Sequence, residues 1–327
     1  MPEGHAPVLL VVVDTEEEFD WNAPFSREAC AVTAMAAVGR GQAVCDRFKV
    51  SPVYVVDYAV VSREEGWAPL KEIHDSFRGV IGAHLHPWNT PPFEEELSQA
   101  NAYPGNLPAT LEQSKLRHLT ARIQEVFGRT PCIYKAGRYG FGPHTAQLLE
   151  TEGFECDLSP APPFDFRADG GPNYLSEGNE PCWFGHRRRL LRLPTTGGFC
   201  GFWRGSGSRL YPLISQGWRK ALHLPGVMAR LGLLERMRLS PEGHTLEEMR
   251  RLTRTLLGDG LRVFTLSYHS PTLKPGCTPY VRDERELERF LATLEGYLAF
   301  FLGELGGVSL TPLELRDRLV GGKKNTW

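Results

Sequence analysis

The stretch "VLLVVVDTEEEFDW", residues 8 to 21, runs six apolar residues into Asp14 and then sets Glu16, Glu17, Glu18 and Asp20 within the next six positions. Such a run is far too short to span a bilayer and has the all-apolar character of a parallel strand buried on both faces. Side chains alternate along a strand, so Asp14, Glu16 and Glu18 share one face while Thr15 and Glu17 point the other way. Carboxylates this close cannot all stay ionised unaided. Either the strand ends in solvent, or it delivers some of them to a cation or a pocket.

Working outward, β-rich runs alternate with helical ones. "VLLVVVD" is followed by a helical segment from Ser26 to about Phe48, then "SPVYVVD" and a helix near Ala68 to Phe77. Next come "GVIGAHLH", a helix from about Thr110 to Phe127, "TPCIYKAG", a short helix after Pro143, and "GFECDLS". Later strands are "LLRLP", "LRVFTLSYH" and "GVSL", the last two separated by a helix from about Arg282 to Leu302. This β-α-β-α order predicts a parallel sheet with crossover helices, and about eight strands in all predict a barrel. Two stretches break the rhythm: a Pro-rich loop from Pro87 to Pro108, and a mainly helical insert at about 209–257 that carries Arg209, Arg219, Lys220, Arg230, Arg236 and Arg238. Neither reads as a linker, so the chain is expected to be one domain over 1–327 with a short flexible tail at 321–327. The insert reads as a basic amphipathic surface, open to solvent, to an anionic substrate or to a membrane face.

The whole-chain numbers exclude more than they assign. With 327 residues, 41% hydrophobic and 23% charged, there is ample material for a core. A net charge of −2 offers no global field for nucleic acid. No signal-length or membrane-spanning apolar run occurs, so a cytoplasmic location is expected, with contact at the inner membrane face left open. The seven cysteines are scattered with no C-x-x-C pair and read as free thiols.

In a parallel barrel the ligand site lies at the C-terminal strand ends. Those ends carry Asp14 to Glu16, His84 with His86, Lys135 to Arg138, and Ser267 to Ser270 around His269. His84 and His86 are two apart, so both imidazoles project to one face and can share a cation. Asp14 with Glu16 is the expected acidic pair. Two imidazoles and one carboxylate with open positions suit catalytic Zn²⁺ or a similar divalent ion. Glu17, Glu18 and Asp20 are expected to be outer or solvated. No phosphate-binding glycine motif follows any strand.

The segments "VVVDTEEEFDW", "IGAHLHPW", "YKAGRYGFGP", "FECDLSPAP" and "LSYHS", in this order, resemble the polysaccharide deacetylase superfamily (NodB homology, carbohydrate esterase 4) over residues 8 to about 315. More narrowly they are similar to its WalW-like branch of cytoplasmic proteins encoded with lipopolysaccharide and exopolysaccharide assembly genes. The resemblance implies a distorted (β/α)7 barrel, one divalent metal ion, zinc first, and hydrolysis of an N-acetyl group from an amino sugar. It implies that Asp14 is the general base and His269 the general acid, and that Arg138, in an R-x-x-x-G pattern with Gly142, orients the base by a salt bridge. The second acidic position falls on Glu16 or, alternatively, Glu17. His84 matches the first metal histidine; the second is expected four residues on, where this chain has Trp88, while His86 stands two on.

Trp88, Tyr139 and Phe141 are candidates to stack on a sugar, and Asp157 is a candidate outer or substrate contact. The basic insert points to a phosphate-bearing or lipid-linked substrate. Two rivals stand beside the deacetylase: a non-catalytic carbohydrate-binding or assembly protein on the same barrel, and a metal-dependent hydrolase of a small non-peptide amide.

Overall fold

A computed structural model describes residues 6–18, 23–216 and 223–321. Asp20, Arg219, Lys220 and the tail after Gly321 lie outside the described residues. The strands are β1 Val8–Thr15, β2 Val53–Val56, β3 Val80–Leu85, β4 Ile133–Ala136, β5 Cys156–Asp157, β6 Cys182–Phe184, β7 Leu190–Arg192, β8 Gly197–Cys200, β9 Glu235–Arg238, β10 Val263–His269 and β11 Val308–Ser309. One curled sheet runs β10-β1-β2-β3-β4-β5-β7-β6, with β11 also paired to β1. All its pairings are parallel except β6 with β7.

Among the described residues the sheet does not close on itself by strand pairing. Chain leaving β7 and β9 bridges the gap to β10, through Thr196 N–H to Thr265 O at 3.2 Å and Ser267 N–H to Leu239 O at 3.2 Å. The result is a distorted (β/α) barrel: a barrel as the strand count predicts, distorted as the family resemblance implies.

Alternation on β1 divides the core. Val8, Leu10 and Val12 join Val55, Ile133, Cys156, Leu158 and Leu191 inside the barrel, while Leu9, Val11 and Val13 pack outward against the helices. Each such aliphatic contributes roughly 1.5–3 kcal/mol on burial. The same parity carries the inner face from Val12 to Asp14 and Glu16, from Gly82 to His84, and from Ile133 to Lys135.

The helices are α1 Val38–Arg47, α2 Tyr58–Ser62, α3 Glu64–Asp75, α4 Ala109–Phe127, α5 Thr145–Thr151, α6 Gly207–Ile214, α7 Leu224–Arg230, α8 Leu246–Gly258, α9 Glu284–Leu298 and α10 Pro312–Gly321. The helix expected from Ser26 starts as α1 only at Val38, after a 3-10 turn at Thr33–Ala37. Glu18 ties that turn down, accepting from Thr33 Oγ1 at 2.7 Å and from the Ala34 amide. The insert is not helical throughout: α6 and α7 lead into β9, which pairs antiparallel with β8 before α8 begins at a Thr245/Glu248 capping box. Arg236 and Arg238 are therefore strand residues, not part of an amphipathic helix. No helix among the described residues is long and apolar enough to cross a membrane.

Candidate metal centre and acid-base site

A cavity of about 410 Å³ opens at the C-terminal ends of the strands. Its floor is built from Asp14, Glu16, His84, His86, Lys135 and His269, and its walls include Phe25, Trp88, Tyr103, Arg138, Tyr139, Phe166 and Arg238.

Glu16 Oε2 lies 3.5 Å from His84 Nε2 and 3.4 Å from His86 Nε2. These three ligand atoms form one mutually close group. The other ring nitrogens are engaged. His84 Nδ1 donates to the Lys135 carbonyl at 3.0 Å, and His86 Nδ1 is 3.1 Å from Glu17 Oε2. A carbonyl only accepts, so Nδ1 of His84 carries the proton and its Nε2 lone pair faces Glu16. Burial, then His86, lowers the pKa of His84, favouring the neutral ligand form. Burial would lower His86 too, but the Glu17 and Glu16 carboxylates outweigh it and raise it well above the usual imidazole range. Two imidazoles and a carboxylate with supported ring orientations fit a divalent cation of the zinc type.

Glu17, the alternative ligand, faces away from this group. Its carboxylate accepts from Trp88 Nε1 at 2.6 Å and from Asn89 Nδ2 at 3.1 Å, besides His86. N–H donors aimed at both oxygens make it a poor cation ligand and a good orienter of His86. Asn89 also donates to Asp57 at 2.6 Å, and Asp57 caps α2 at Val60 N–H, 2.8 Å. Burial and then the Glu17 charge push Asp57 well above the usual carboxylate range, so of this buried pair Glu17 is the anion. Trp88, where the second histidine was expected, stacks on His86 with ring centroids 4.2 Å apart. It supports the imidazole from outside and still lines the cavity.

Asp14 sits beside this group. Lys135 Nζ donates to both its oxygens, at 2.6 and 2.7 Å. Burial raises the Asp14 pKa, but Lys135 foremost, with His84 and His269, outweighs it, and the net shift is downward. His269 Nε2 is 3.8 Å from Asp14 Oδ2, and its Nδ1 is 2.8 Å from Glu242 Oε2. Glu242 also accepts from the His269 backbone N–H and from Thr272 Oγ1. Burial opposes protonation of His269, yet Glu242, Glu16 and Asp14 raise it to about 9.

Three expectations are corrected. Arg138 does not reach Asp14: in the left-handed region at φ 53° it donates to Gln99 O at 3.1 Å, lies 3.6 Å from Asp169, and stacks over Tyr103 at 4.2 Å. Lys135 holds the charge expected of it. Gly142, its motif partner, is required for another reason, since a Cβ there would lie 2.3 Å from Gly105 Cα. Asp157 points outside the barrel, because its neighbours Cys156 and Leu158 take the inner face; it meets Arg192 at 3.6 Å and Ser159 N–H at 3.0 Å. Phe141 packs on Phe184 and Arg192 and is not among the cavity residues. Tyr139 is in the cavity wall, stacked on Phe166, and reaches it through a second left-handed residue at φ 60°. Backbone held there costs of order 1–3 kcal/mol, which the packed loop supports.

Lys135 was readable from its parity with Ile133. Glu242 follows a strand with no apolar alternation, and nothing in the sequence singles it out.

No protein-family model matches the chain, and no curated protein matches it. Solved structures do. A protein from Mycobacterium smegmatis assigned as a polysaccharide deacetylase superposes with TM-score 0.59 at 16% identity, covering 100% of this chain and 94% of that one. The Puue allantoinase gives 0.54 at 12% identity, covering 99% and 94%. A protein from Pseudomonas aeruginosa PAO1, also assigned as a polysaccharide deacetylase, gives 0.52 at 13%, covering 98% and 92%. The chain thus has the barrel fold of the polysaccharide deacetylases, the fold its motifs implied.

Proposed function

We propose that the protein is a metal-dependent hydrolase that releases acetate from an N-acetylated amino sugar. The observation that carries this reading is the convergence, on one cavity floor, of a two-imidazole, one-carboxylate group with the Asp14–Lys135 and His269–Glu242 pairs.

Glu16, His84 and His86 would hold the cation, with His86 oriented by Glu17. When bound, such an ion supplies Lewis acidity, making water a nucleophile near neutral pH and polarising an amide carbonyl. Asp14, kept ionised by Lys135, accepts the proton of the attacking water as general base. Its two oxygens are fixed by the lysine, so its position changes little through the step. His269, held by Glu242 with Nε2 toward Asp14, donates a proton to the departing amine. Aromatic walls from Phe25, Tyr103, Tyr139 and Phe166 shield the reacting amide from water and offer faces to a sugar ring. A cavity of this size suits a small-molecule ligand or a short glycan segment.

The fold likeness to an allantoinase keeps hydrolysis of a small non-sugar amide as a second reading. A cytoplasmic setting is part of the proposal and is supported by seven cysteines that are all free; finding the protein outside the cytoplasm in a cell fractionation would remove that part.

The test uses two variants and two readouts. H84A should lose both bound metal and acetate release, while D14N should keep metal and lose turnover by about 100-fold or more. Purified protein with no bound metal and no chelator-sensitive activity would instead support a non-catalytic carbohydrate-binding role.

A further inference from the structure

Among the described residues the cavity is lined by three cations besides its histidines, and two of them are spoken for. Lys135 is paired with Asp14, and Arg138 with Asp169 and the Gln99 carbonyl. Arg238 differs. It projects from β9 into the same cavity as Asp14, Glu16 and His84. Its guanidinium carbon lies 4.8 Å from the Tyr139 ring and 4.5 Å from the Phe164 ring, and its Nε is buried with no hydrogen-bond partner. Among the described residues no carboxylate comes within ion-pair distance of it.

Arg236, two residues earlier on the same strand, lies 4.3 Å from the Phe164 ring and 4.4 Å from Tyr211, also without an ion pair among the described residues. Phe164 therefore sits between two guanidiniums. The nearby acids are committed elsewhere: Asp165 to Arg167, Glu235 to Arg251, and Glu242 to His269. Residues 201–234 contain no aspartate or glutamate at all.

Two like charges side by side and partly desolvated, with only Asp165, already paired to Arg167, offsetting Arg236 among the described residues, are unfavourable unless a ligand supplies the anion. Stacking on aromatic faces fixes the guanidinium plane and leaves its N–H edge for a bidentate acceptor. We propose that Arg238, backed by Arg236, is an anion subsite, and that the substrate is an amino sugar bearing a phosphate or carboxylate group, the acetamide lying over Asp14 and His269. This rests on the hydrolase reading above and names its substrate class. The anion would bind the wall while the acetamide binds the floor, so one molecule would be held at two points.

The test is calorimetric titration of the purified, metal-loaded protein with three probes: N-acetylglucosamine, its 6-phosphate, and the corresponding N-acetylated uronic acid. The charged probes should bind about tenfold or more tightly than the neutral one. R238Q should remove that preference. R238K, which keeps the charge and the stem but not the planar fork, should retain part of it and serves where R238Q does not fold. Whichever charged probe shows the larger preference identifies the group as phosphate or carboxylate. Equal binding of charged and neutral probes, or an unchanged preference in R238Q, overturns the subsite and leaves Arg238 as a packing residue. An Arg238-dependent preference without acetate release from any probe overturns the hydrolase reading and leaves the subsite standing.

Discussion

On the floor of the cavity the charged groups have partners: Asp14 with Lys135, Glu16 with His86, His269 with Glu242. On the wall formed by β9, Arg238 has only aromatic rings among the described residues, and Arg236 has rings, the Tyr211 hydroxyl and the attraction of Asp165, itself bonded to Arg167. The floor is preorganised, its charges fixed by neighbours that reach in from other strands across the barrel before any ligand arrives. The wall is incomplete, its charge waiting for a partner from outside. This division suits an enzyme whose reacting groups must not move while its specificity depends on what the substrate brings.

The comparison can be broken hardest at Lys135. K135M removes the closest partner of a buried carboxylate, leaving only His269 at 3.8 Å, and should destabilise the protein by about 3–5 kcal/mol, measured by denaturant unfolding at neutral pH. Because Lys135 holds the Asp14 pKa down, its contribution exists above the unfolded carboxylate pKa and is lost as pH falls. The variant's deficit should therefore shrink in acid. A variant as stable as the parent would mean the floor is not built on this pair.

A smaller effect is expected one layer behind the ligands. E17Q removes the charge that orients His86 but no proposed ligand, and should weaken metal affinity about 10–100-fold, read by competition with a chelator. No change would reduce Glu17 to a packing residue.

The smallest effect concerns the acid. His269 has a pKa raised above its ordinary 6.5 to about 9, so the stabilisation from its protonated pair with Glu242 is complete below about 6.5 and lost as pH rises through about 9. E242Q should move the alkaline limb of kcat/KM to lower pH and flatten this alkaline loss of stability. A limb that stays in place would detach His269 from the acid role.

The same division explains what was legible in the sequence. Parity along buried strands carried Asp14, Glu16, His84 and His86 to one face, and the motif resemblance pointed to the same barrel. Parity also separated Glu16 from Glu17, since a one-residue shift reverses the face. Where parity was not applied, the reading failed: Asp157 flanks inward-facing Cys156 and Leu158, and so points out. Arg138 was misread because its left-handed backbone turns it away from the strand direction, a conformation no spacing rule reveals. The wall was hidden because β8 and β9, "GGFC" and "ERMR", have neither the apolar alternation nor the length that marks a strand. Arg238 reaches the cavity, and Glu242 reaches His269, through tertiary pairing of those two strands, which local pattern does not encode.

The central claim is that Glu16, His84 and His86 form the metal site and that Glu17 stands behind it. A crystal structure of zinc-loaded protein tests it most directly. The ion should lie within about 2.0–2.3 Å of a Glu16 oxygen and of Nε2 of both histidines, with Glu17 still bonded to His86 Nδ1. An ion bound instead between Glu17 and Asp57, the other close carboxylate–histidine group, would contradict it.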